Sequence, residues 1–372
     1  MTATAIGETA GQILDALCPA PDLATLFVTP HHAGALEDAA SAVRSVVAPG
    51  VLVGCAAVSV VGNGREVEDG PGVVLWAAVL DAPVAPLRMD VVRTDRGMAL
   101  TGWPEEPEFE PAGVLLLADP YSFPAEPFFD HLANAHPGVP VIGGNASAAA
   151  GPGGNRLVLD GVVTTNGAVG ALFGHGTVPI EAAVSQGCRP IGRPYAVTRS
   201  EHNVVYDLGG VPALARLTEI AEALPPEEAA LLSNGILLGI VVDEHKLDYG
   251  RGDFLAKNVM QIDRDTGAVT VGDVVPVGAT VQYLVRDAAT ADEDLRALLA
   301  GRRAEGTLVF TCNGRGISFF TEADHDAKVV AEVLGDPASA GFFAAGEFGP
   351  IGRRNFVHGY TASVALINDG HG

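Results

Sequence analysis

The stretches GTLVFT (306–311), AGFFAAGE (340–347) and YTASVALI (360–367) decide the fold, because their order recurs earlier in the chain. Two earlier sets follow the same order: ATLFVT (24–29), PGVLVGC (49–55) and GVVLWAAVL (72–80), then GVLLLA (113–118), PGVPVIGG (137–144) and residues 167–173. In each set a helix-like segment separates the first two apolar stretches. Short, nearly continuous apolar runs are typical of strands covered on both faces. Each set therefore predicts a strand, a crossover helix, a parallel strand, and a glycine-rich turn into a third strand.

The repeats predict an α/β fold of β-α-β-β units that form two related mixed-sheet domains. A chain of 372 residues is long for one hydrophobic core, which also favours two domains. We expect a helical lead-in over 1–22, a first domain over 23–194 with two repeats, a second over 195–367 with the third, and a flexible tail over 368–372. The second domain also holds strand-like stretches between 195 and 287 that lack the repeat pattern.

Composition excludes several classes of function. The formal charge is −23, so nucleic acid and anionic membrane surfaces would repel the chain. The apolar runs are too short to span a bilayer, and the first residues carry no secretory signal. The cysteines are far apart and form no C-x-x-C pair, which predicts free thiols, a reducing cytoplasmic location and no metal site: Cys18, Cys55, Cys188 and Cys312.

The third repeat differs from the other two in its first connection. The first two strands are spaced by 26 residues in the earlier repeats and by 34 in the third, which assigns eight extra residues to 311–322. This loop leaves the carboxyl end of a predicted parallel strand, where open α/β sheets bind ligands. Gly314 and Gly316 flank Arg315, so the backbone there can approach a small ligand closely. The loop is our candidate site.

The side chains near this loop suit a zwitterion such as an amino acid. Arg315 offers a planar fork for a carboxylate, and Glu347 offers an anion for an amine. The full predicted ligand-binding set is Cys312, Asn313, Gly314, Arg315, Gly316, Glu347, Asn355, His358, Arg251 and Asn258. An alternative is that Arg315 and Glu347 simply pair with each other as a structural ion pair.

Two other kinds of chemistry stay open. Cys312 with His325 or His358 as base could form a cysteine enzyme, although a binding function is favoured over catalysis. A non-covalent haem would need an axial ligand such as the pair His31 and His32. The run Asp324-His325-Asp326 is interpreted as a helix-start cluster rather than a metal site, because neighbouring residues on a helix face different directions.

Several stretches resemble the FIST family. They are YGRGDFLAKNVMQID (249–263), LVFTCNGRG (308–316) and GFFAAGEFGPIG (341–352) for the FIST C-terminal domain, and VLVGCAA (51–57) and VIGGNAS (141–147) for the FIST N-terminal domain. The resemblance covers about residues 23–367 and implies an intracellular sensory module that binds a small ligand, with amino acids proposed and haem reported for some members. Such modules are often fused to an output domain. This chain shows none, so the resemblance implies signalling through a separate partner protein.

Overall fold

The computed structural model describes residues 2–17, 20–95, 97–176, 180–246 and 248–368. Cys18 and the predicted tail beyond residue 368 lie outside them, so what was predicted for these residues stays a prediction. The described helices are α1 (Thr2–Ala16), α2 (Leu36–Val46), α3 (Ala125–Ala135), α4 (Ala213–Ala223), α5 (Pro226–Ala230), α6 (Ala288–Leu299), α7 (Ile317–Phe320) and α8 (His325–Leu334), with 3-10 turns at Pro30–Ala35 and Leu231–Asn234. Within these residues, each helix is too short or too polar to cross a membrane.

The described strands lie between these helices, often several in succession. They are β1 (Leu23–Val28), β2 (Val51–Ala56), β3 (Val60–Gly62), β4 (Arg65–Val67), β5 (Val73–Ala78), β6 (Val84–Thr94), β7 (Gly97–Thr101), β8 (Gly113–Ala118), β9 (Val141–Asn145), β10 (Leu157–Leu159), β11 (Val162–Thr164), β12 (Ala168–Phe173), β13 (Glu181–Gln186), β14 (Cys188–Glu201), β15 (Val204–Leu208), β16 (Val211–Pro212), β17 (Ile236–Val241), β18 (Phe254–Ile262), β19 (Val269–Val271), β20 (Thr280–Arg286), β21 (Gly306–Cys312), β22 (Ala338–Ala344), β23 (Glu347–Ile351), β24 (Arg354–His358) and β25 (Thr361–Ile367).

The chain divides into two compact units. The first comprises Met1–Val184, Leu295–Val357 and Thr361–Gly372, and the second comprises Ser185–Asp294 and His358–Tyr360. A mixed α/β class with two units is what the sequence predicts. The division differs from the sequence order, because the third repeat belongs to the first compact unit together with the other two.

Three segments of the first compact unit share one order of elements. Residues 23–78, 113–173 and 306–367 each run strand, helix, strand, hairpin, strand. In each segment the first two strands pair in parallel, as expected for a helical crossover, and the third strand lies antiparallel on the other side of the first. The hairpins β3–β4, β10–β11 and β23–β24 replace the glycine-rich turns that the sequence predicts. The sequence did not predict these hairpins, because their strands are too short to show an alternation of apolar and polar residues.

The three segments exchange these hairpins in a closed cycle. The hairpin of the second segment pairs with β2 of the first, where Leu157 lies opposite Cys55. The hairpin of the third segment pairs with β9, and the hairpin of the first segment pairs with β22. Each sheet of the first compact unit is therefore completed by a neighbouring segment, so the segments fold as one body.

The inner faces of the three sheets share one apolar core. Phe27 of the first segment contacts Phe310 and Phe342 of the third, with ring centroids 6.3 and 5.1 Å away. Leu115 and Leu117 of the second segment join the same core. The outer faces pack against helices, with α1 and α2 on the first sheet, α3 on the second and α8 on the third. Burial on both faces explains the nearly continuous apolar runs of the central strands.

The second compact unit has a different architecture. Its strands follow the order β14-β20-β17-β18-β19-β15-β16, their pairings are antiparallel, and an additional β14–β15 pairing closes the sheet on itself. Helix α4 packs into the apolar interior through Leu217 and Ile220. The prediction of two related domains is therefore wrong, because this unit lacks a parallel strand pair among its described residues.

The extra length of the third connection is smaller than the sequence comparison predicts. The parallel register joins Leu23 to Val51, Val114 to Val141 and Gly306 to Ala338, which are offsets of 28, 27 and 32 residues. The excess is four or five residues rather than eight. The connection itself, 313–324, is long, but the turn that follows α8 is shorter than its counterparts. The comparison of sequence spacings did not detect that the shorter turn after α8 partly offsets the longer connection before it.

Candidate functional site

The candidate site begins where β21 ends at Cys312. The Arg315 amide donates to the Cys312 carbonyl over 2.9 Å, which makes a tight turn into the single-turn helix α7. Gly316 has a φ of +86°, and a Cβ there would lie 2.5 Å from Oε2 of Glu68 and 2.9 Å from the ring of Phe343. Only glycine fits this position, because both the conformation and the space exclude a side chain.

The Arg315 side chain turns inward and pairs with Asp326 at the start of α8. Nε donates to Oδ2 and Nη2 donates to Oδ1, each over 2.7 Å, and both side chains are at most 1% exposed. The Thr311 hydroxyl donates to the same carboxylate, and Nδ1 of His325 lies 3.0 Å from it. Burial opposes ionisation of Asp326, but Arg315 and hydrogen bonds from His325, Arg315 and Thr311 hold its pKa well below the usual range. The structural pair is thus Arg315–Asp326, whereas the sequence alternative named Glu347.

An aromatic ring completes this buried cluster. The Arg315 guanidinium carbon lies 5.0 Å from the centroid of Phe320, within cation–π range. The His325 ring stacks on the same phenylalanine with centroids 3.4 Å apart and planes inclined by 8°. Phe320 therefore fixes both basic side chains.

The hairpin β3–β4 from the first segment ties this loop in place. The Glu68 carboxylate accepts the Ile317 amide over 2.9 and 3.1 Å at the start of α7, and Glu66 accepts the Ala327 amide over 3.0 Å at the start of α8. Oδ1 of Asp324 in turn accepts the Glu66 amide over 2.8 Å. Burial, and next the Asp326 charge, raise the pKa of Glu66 to about 8 against the opposing Ala327 hydrogen bond. The loop of one segment is therefore held by acids of another.

Glu347 is the second buried acid of the site. Its Oε2 accepts the Thr361 amide over 3.1 Å and the Thr361 hydroxyl over 2.7 Å, and the residue is 0% exposed. Its Oε1 has no hydrogen-bond partner among the described residues. Burial raises the pKa of Glu347 to about 8, against opposing effects of Thr361, the Cys312 thiol and the Arg315 charge. Glu347 is therefore mostly protonated at neutral pH.

The cysteine-enzyme alternative requires a base beside Cys312. The thiol is buried, its sulfur lies 3.5 Å from the Gly314 amide, and it acts on the Glu347 carboxyl as a weak hydrogen-bond donor. His325 is engaged by Asp326 and Phe320. A neutral acid beside a thiol does not assist its deprotonation. In this arrangement neither His325 nor Glu347 serves Cys312 as a base, and the role of Cys312 in ligand binding stays a prediction.

Other predicted ligand-binding residues have structural contacts or lie elsewhere. Asn355 accepts the Val141 amide and donates to the Val139 carbonyl, each over 2.8 Å, so it clamps the start of β9. Three of the predicted residues belong to the second compact unit, namely Arg251, which contacts Glu293; Asn258, which accepts from Tyr360; and His358, which is buried. Asn313 is exposed at the loop surface, beside partly buried Gly314. The structure groups Cys312, Arg315, Gly316 and Glu347.

The described residues hold no cluster of metal-ligating side chains, and two of their cavities lack a haem ligand. Groups of three or more histidine, cysteine, aspartate or glutamate residues with metal-binding geometry are absent from them. His32 is buried and its Nδ1 lies 2.9 Å from the Thr2 hydroxyl. Two cavities of the first compact unit, of about 410 and 280 Å³, are lined by no histidine, cysteine or methionine among the described residues. These two cavities therefore supply no axial ligand for haem among the described residues, and haem binding elsewhere stays a prediction.

Sequence reasoning missed the acids that hold the loop. Asp326 stood in the run interpreted as a helix-start cluster, and an acid at the start of the helix that follows the loop arginine was the available signal. Glu66 and Glu68 carry no such signal, because they are more than 240 residues from their partners in sequence. Only the hairpin exchange brings them to the loop.

Together these features define a protein with an α/β unit, whose polar side chains collect at the carboxyl ends of parallel strands, and a second unit of antiparallel strands. The FIST N domain model matches residues 22–211, and the FIST C domain model matches residues 213–350. The chain belongs to the FIST family. An uncharacterized protein of Mycobacterium bovis is 46% identical over 97% of this chain and 95% of its own length. An uncharacterized protein of Mycobacterium tuberculosis is 44% identical over 94% of this chain and 92% of its own length.

Proposed function

We propose that this protein is a FIST-type sensory protein that binds a small polar metabolite bearing an amine, such as an amino acid, at Glu347 and signals through a separate partner. The observation that carries the proposal is the orphan Oε1 of Glu347, fully buried and without a hydrogen-bond partner among the described residues. An unsatisfied buried polar atom costs about 1–3 kcal/mol, so its persistence calls for a role. A ligand amine would supply the missing donor.

The family supports the sensory part of this proposal, because FIST domains belong to a class of sensory modules. The local chemistry supports the ligand class. Glu347 is neutral when the site is empty, and an ammonium group placed against it favours the carboxylate. Binding would therefore expel the proton from Glu347.

Arg315 has a positioning role in this proposal rather than a direct one. Its guanidinium is engaged by Asp326, and its charge lowers the pKa of Glu347. Access to Glu347 requires the 313–324 connection to open. Thr321 and Asp324 have φ values of +61° and +64°, a conformation that costs non-glycine residues about 1–2 kcal/mol. This strain lowers the free energy needed to open the connection.

The test is a thermal-shift screen of the protein against the amino acids and simple amines, followed by titration calorimetry of any hit. We expect at least one amine to raise the melting temperature and to bind Glu347→Gln at least tenfold more weakly. The matched control is Glu332→Gln on the exposed face of α8, which should bind as the native protein does.

Proton release tests the mechanism separately. At pH 7 an amine should release close to one proton per site, so the binding enthalpy should differ between buffers of low and high ionisation enthalpy. Affinity should rise with pH up to about 8, where Glu347 itself titrates. A screen without hits, or a hit that binds Glu347→Gln unchanged, would refute the proposed site. Binding without proton release would show that the ligand accepts a hydrogen bond from neutral Glu347.

A further inference from the structure

The three segments of the first compact unit differ at the outer edge of their third strand. The outer edge of β12 pairs with β6, where Ala168 lies opposite Met89. The outer edge of β25 is covered by β13. The corresponding strand β5 ends its sheet, whose order is β11-β10-β2-β1-β5. Among the described residues, β5 therefore has an open edge where its two counterparts have a further strand.

A groove runs along this open edge. A cavity of about 410 Å³ is lined by residues 73–77 of β5, with Gln12 and Leu17 of α1 on one side and Asn63 and Ser339 on the other. Successive side chains of a strand point to opposite faces, so a cavity that touches five consecutive residues lies along the backbone edge. An adjoining cavity of about 280 Å³ shares Leu17 and extends the groove past Ala78.

The edge presents unpaired backbone groups to the groove. The Thr29 amide donates to the Gly72 carbonyl over 3.0 Å, which places Gly72 in a hydrogen-bonded pair with β1. Because this pattern alternates in antiparallel strands, Val73, Leu75 and Ala77 direct their amides and carbonyls outward. Open edges of this kind are templates for an added strand.

The lining identifies the chemistry of the occupant. The described residues around the larger cavity carry no charged side chain, in a chain whose net charge is −23, and the adjoining cavity adds one charged residue, the exposed Glu305. The exposed side chains at the rim of the larger cavity are polar and neutral, as in Gln12 and Asn63. An uncharged segment would therefore enter without leaving a buried charge unpaired. A second molecule of this chain fits poorly, because its β5 edge lies in the floor of the same groove and does not project.

We propose that the β5 groove binds an uncharged, extended segment of a partner protein as an added strand. Main-chain hydrogen bonds to Val73, Leu75 and Ala77 would supply affinity, and the walls of the groove would select side chains. The added strand would correspond to β6 on β12 and, like it, run antiparallel. This site is separate from Glu347, and it supplies a docking surface for the partner of a sensory protein without depending on the ligand proposal.

The probe is a display library of random seven-residue peptides selected on the full chain. We expect enriched peptides to be free of charge and proline at their centre. Amide hydrogen exchange with a bound peptide should slow at Val73, Leu75 and Ala77 by at least tenfold. The amides of Val74 and Trp76 should change little, because they already pair with β1.

Ala77→Pro removes one outward amide and should weaken peptide binding at least tenfold, since proline is tolerated on an edge strand but cannot donate. Ala77→Ser keeps the amide and should bind within about twofold of the native protein. Gln12→Arg lies on the exposed face of α1 and narrows the groove without touching β5. It should also weaken peptide binding, so it tests the proposal if the proline variant fails to fold.

Three outcomes would overturn the proposal. In the first, the library yields no enriched peptide. In the second, the enriched peptides bind without protecting the β5 amides. In the third, the protein alone dimerises in sedimentation experiments with the same amides protected, which assigns the groove to another molecule of this chain.

Discussion

The carboxyl ends of β8 and β21 occupy the same place in two segments but hold different chemistry. After β8, the buried Asp119 accepts hydrogen bonds from the Asn155 amide over 2.9 Å and the Ser122 hydroxyl over 2.6 Å. After β21, the buried group is the Arg315–Asp326 ion pair. The first arrangement uses neutral donors, whereas the second buries two opposite charges.

The length of the connection explains this difference. Residues 119–124 form a short turn between β8 and α3, and the nearby Asn155 and Ser122 satisfy Asp119. Residues 313–324 form a longer connection that includes the helical turn α7. Its Arg315 enters the interior, where an acid is needed to neutralise it. Burial of a charge is tolerated only with such a partner. Two segments of the same topology can therefore differ at this point: the connection after β8 holds an acid with neutral donors, whereas the connection after β21 is charged and strained.

The largest expected effect is the removal of Arg315. Arg315→Ala leaves Asp326 buried without its main partner, so the free energy of unfolding should fall by about 3–5 kcal/mol in urea titrations. Arg296→Ala breaks an exposed pair with Glu332 and should cost less than about 1 kcal/mol. Equal effects of the two variants would remove the distinction between the buried cluster and an ordinary surface pair.

The pH dependence of stability should depend on Glu347. Its folded pKa of about 8 lies above the ordinary value of 4.5, so the folded state keeps a proton that the unfolded state loses. As the pH rises from about 5 to 8, the free energy of unfolding of the native protein should therefore fall by a few kcal/mol relative to that of Glu347→Gln. Parallel urea titrations of both proteins across this range measure the difference. A constant difference would mean that Glu347 titrates normally.

Backbone strain in the third connection should give a smaller, stabilising effect. Thr321 has a φ of +61°, so Thr321→Gly should raise the free energy of unfolding by up to about 1 kcal/mol. Thr218→Gly in the exposed face of α4 should lower it by a few tenths of a kcal/mol (about 0.3), because glycine weakens a helix interior more than threonine does. Thermal or urea unfolding distinguishes an increase from a decrease in the free energy of unfolding. A decrease for Thr321→Gly would show that Thr321 is not strained.

The smallest effect is expected where the first segment holds the third. Glu68→Ala removes the acceptor of the Ile317 amide, so hydrogen exchange of that amide should become faster while the core strands keep their protection. Lys328→Ala on α8, whose exposed ammonium lies 3.7 Å from Asp324, is the control. Unchanged exchange at Ile317 would show that the hairpin does not restrain α7.

The sequence by itself determined the three strand–helix–strand segments and the place of the unusual loop. Apolar runs that are buried on both faces and separated by helical segments can be recognised in the sequence without knowledge of the tertiary structure. Glycines around Arg315 and the acid at Glu347 likewise mark the predicted site in the sequence alone. Both residues lie in the observed cluster, although their partners differ from those predicted.

Only the tertiary structure decided how the segments combine and which charges meet. The exchange of short hairpins joins three distant segments into one compact unit and brings Glu66 and Glu68 to a loop more than 240 residues away. It also shows that Asp326, not Glu347, neutralises Arg315, and that β5 lacks the strand covering its counterparts. These features depend on long-range pairing, which leaves no periodic pattern in the local sequence.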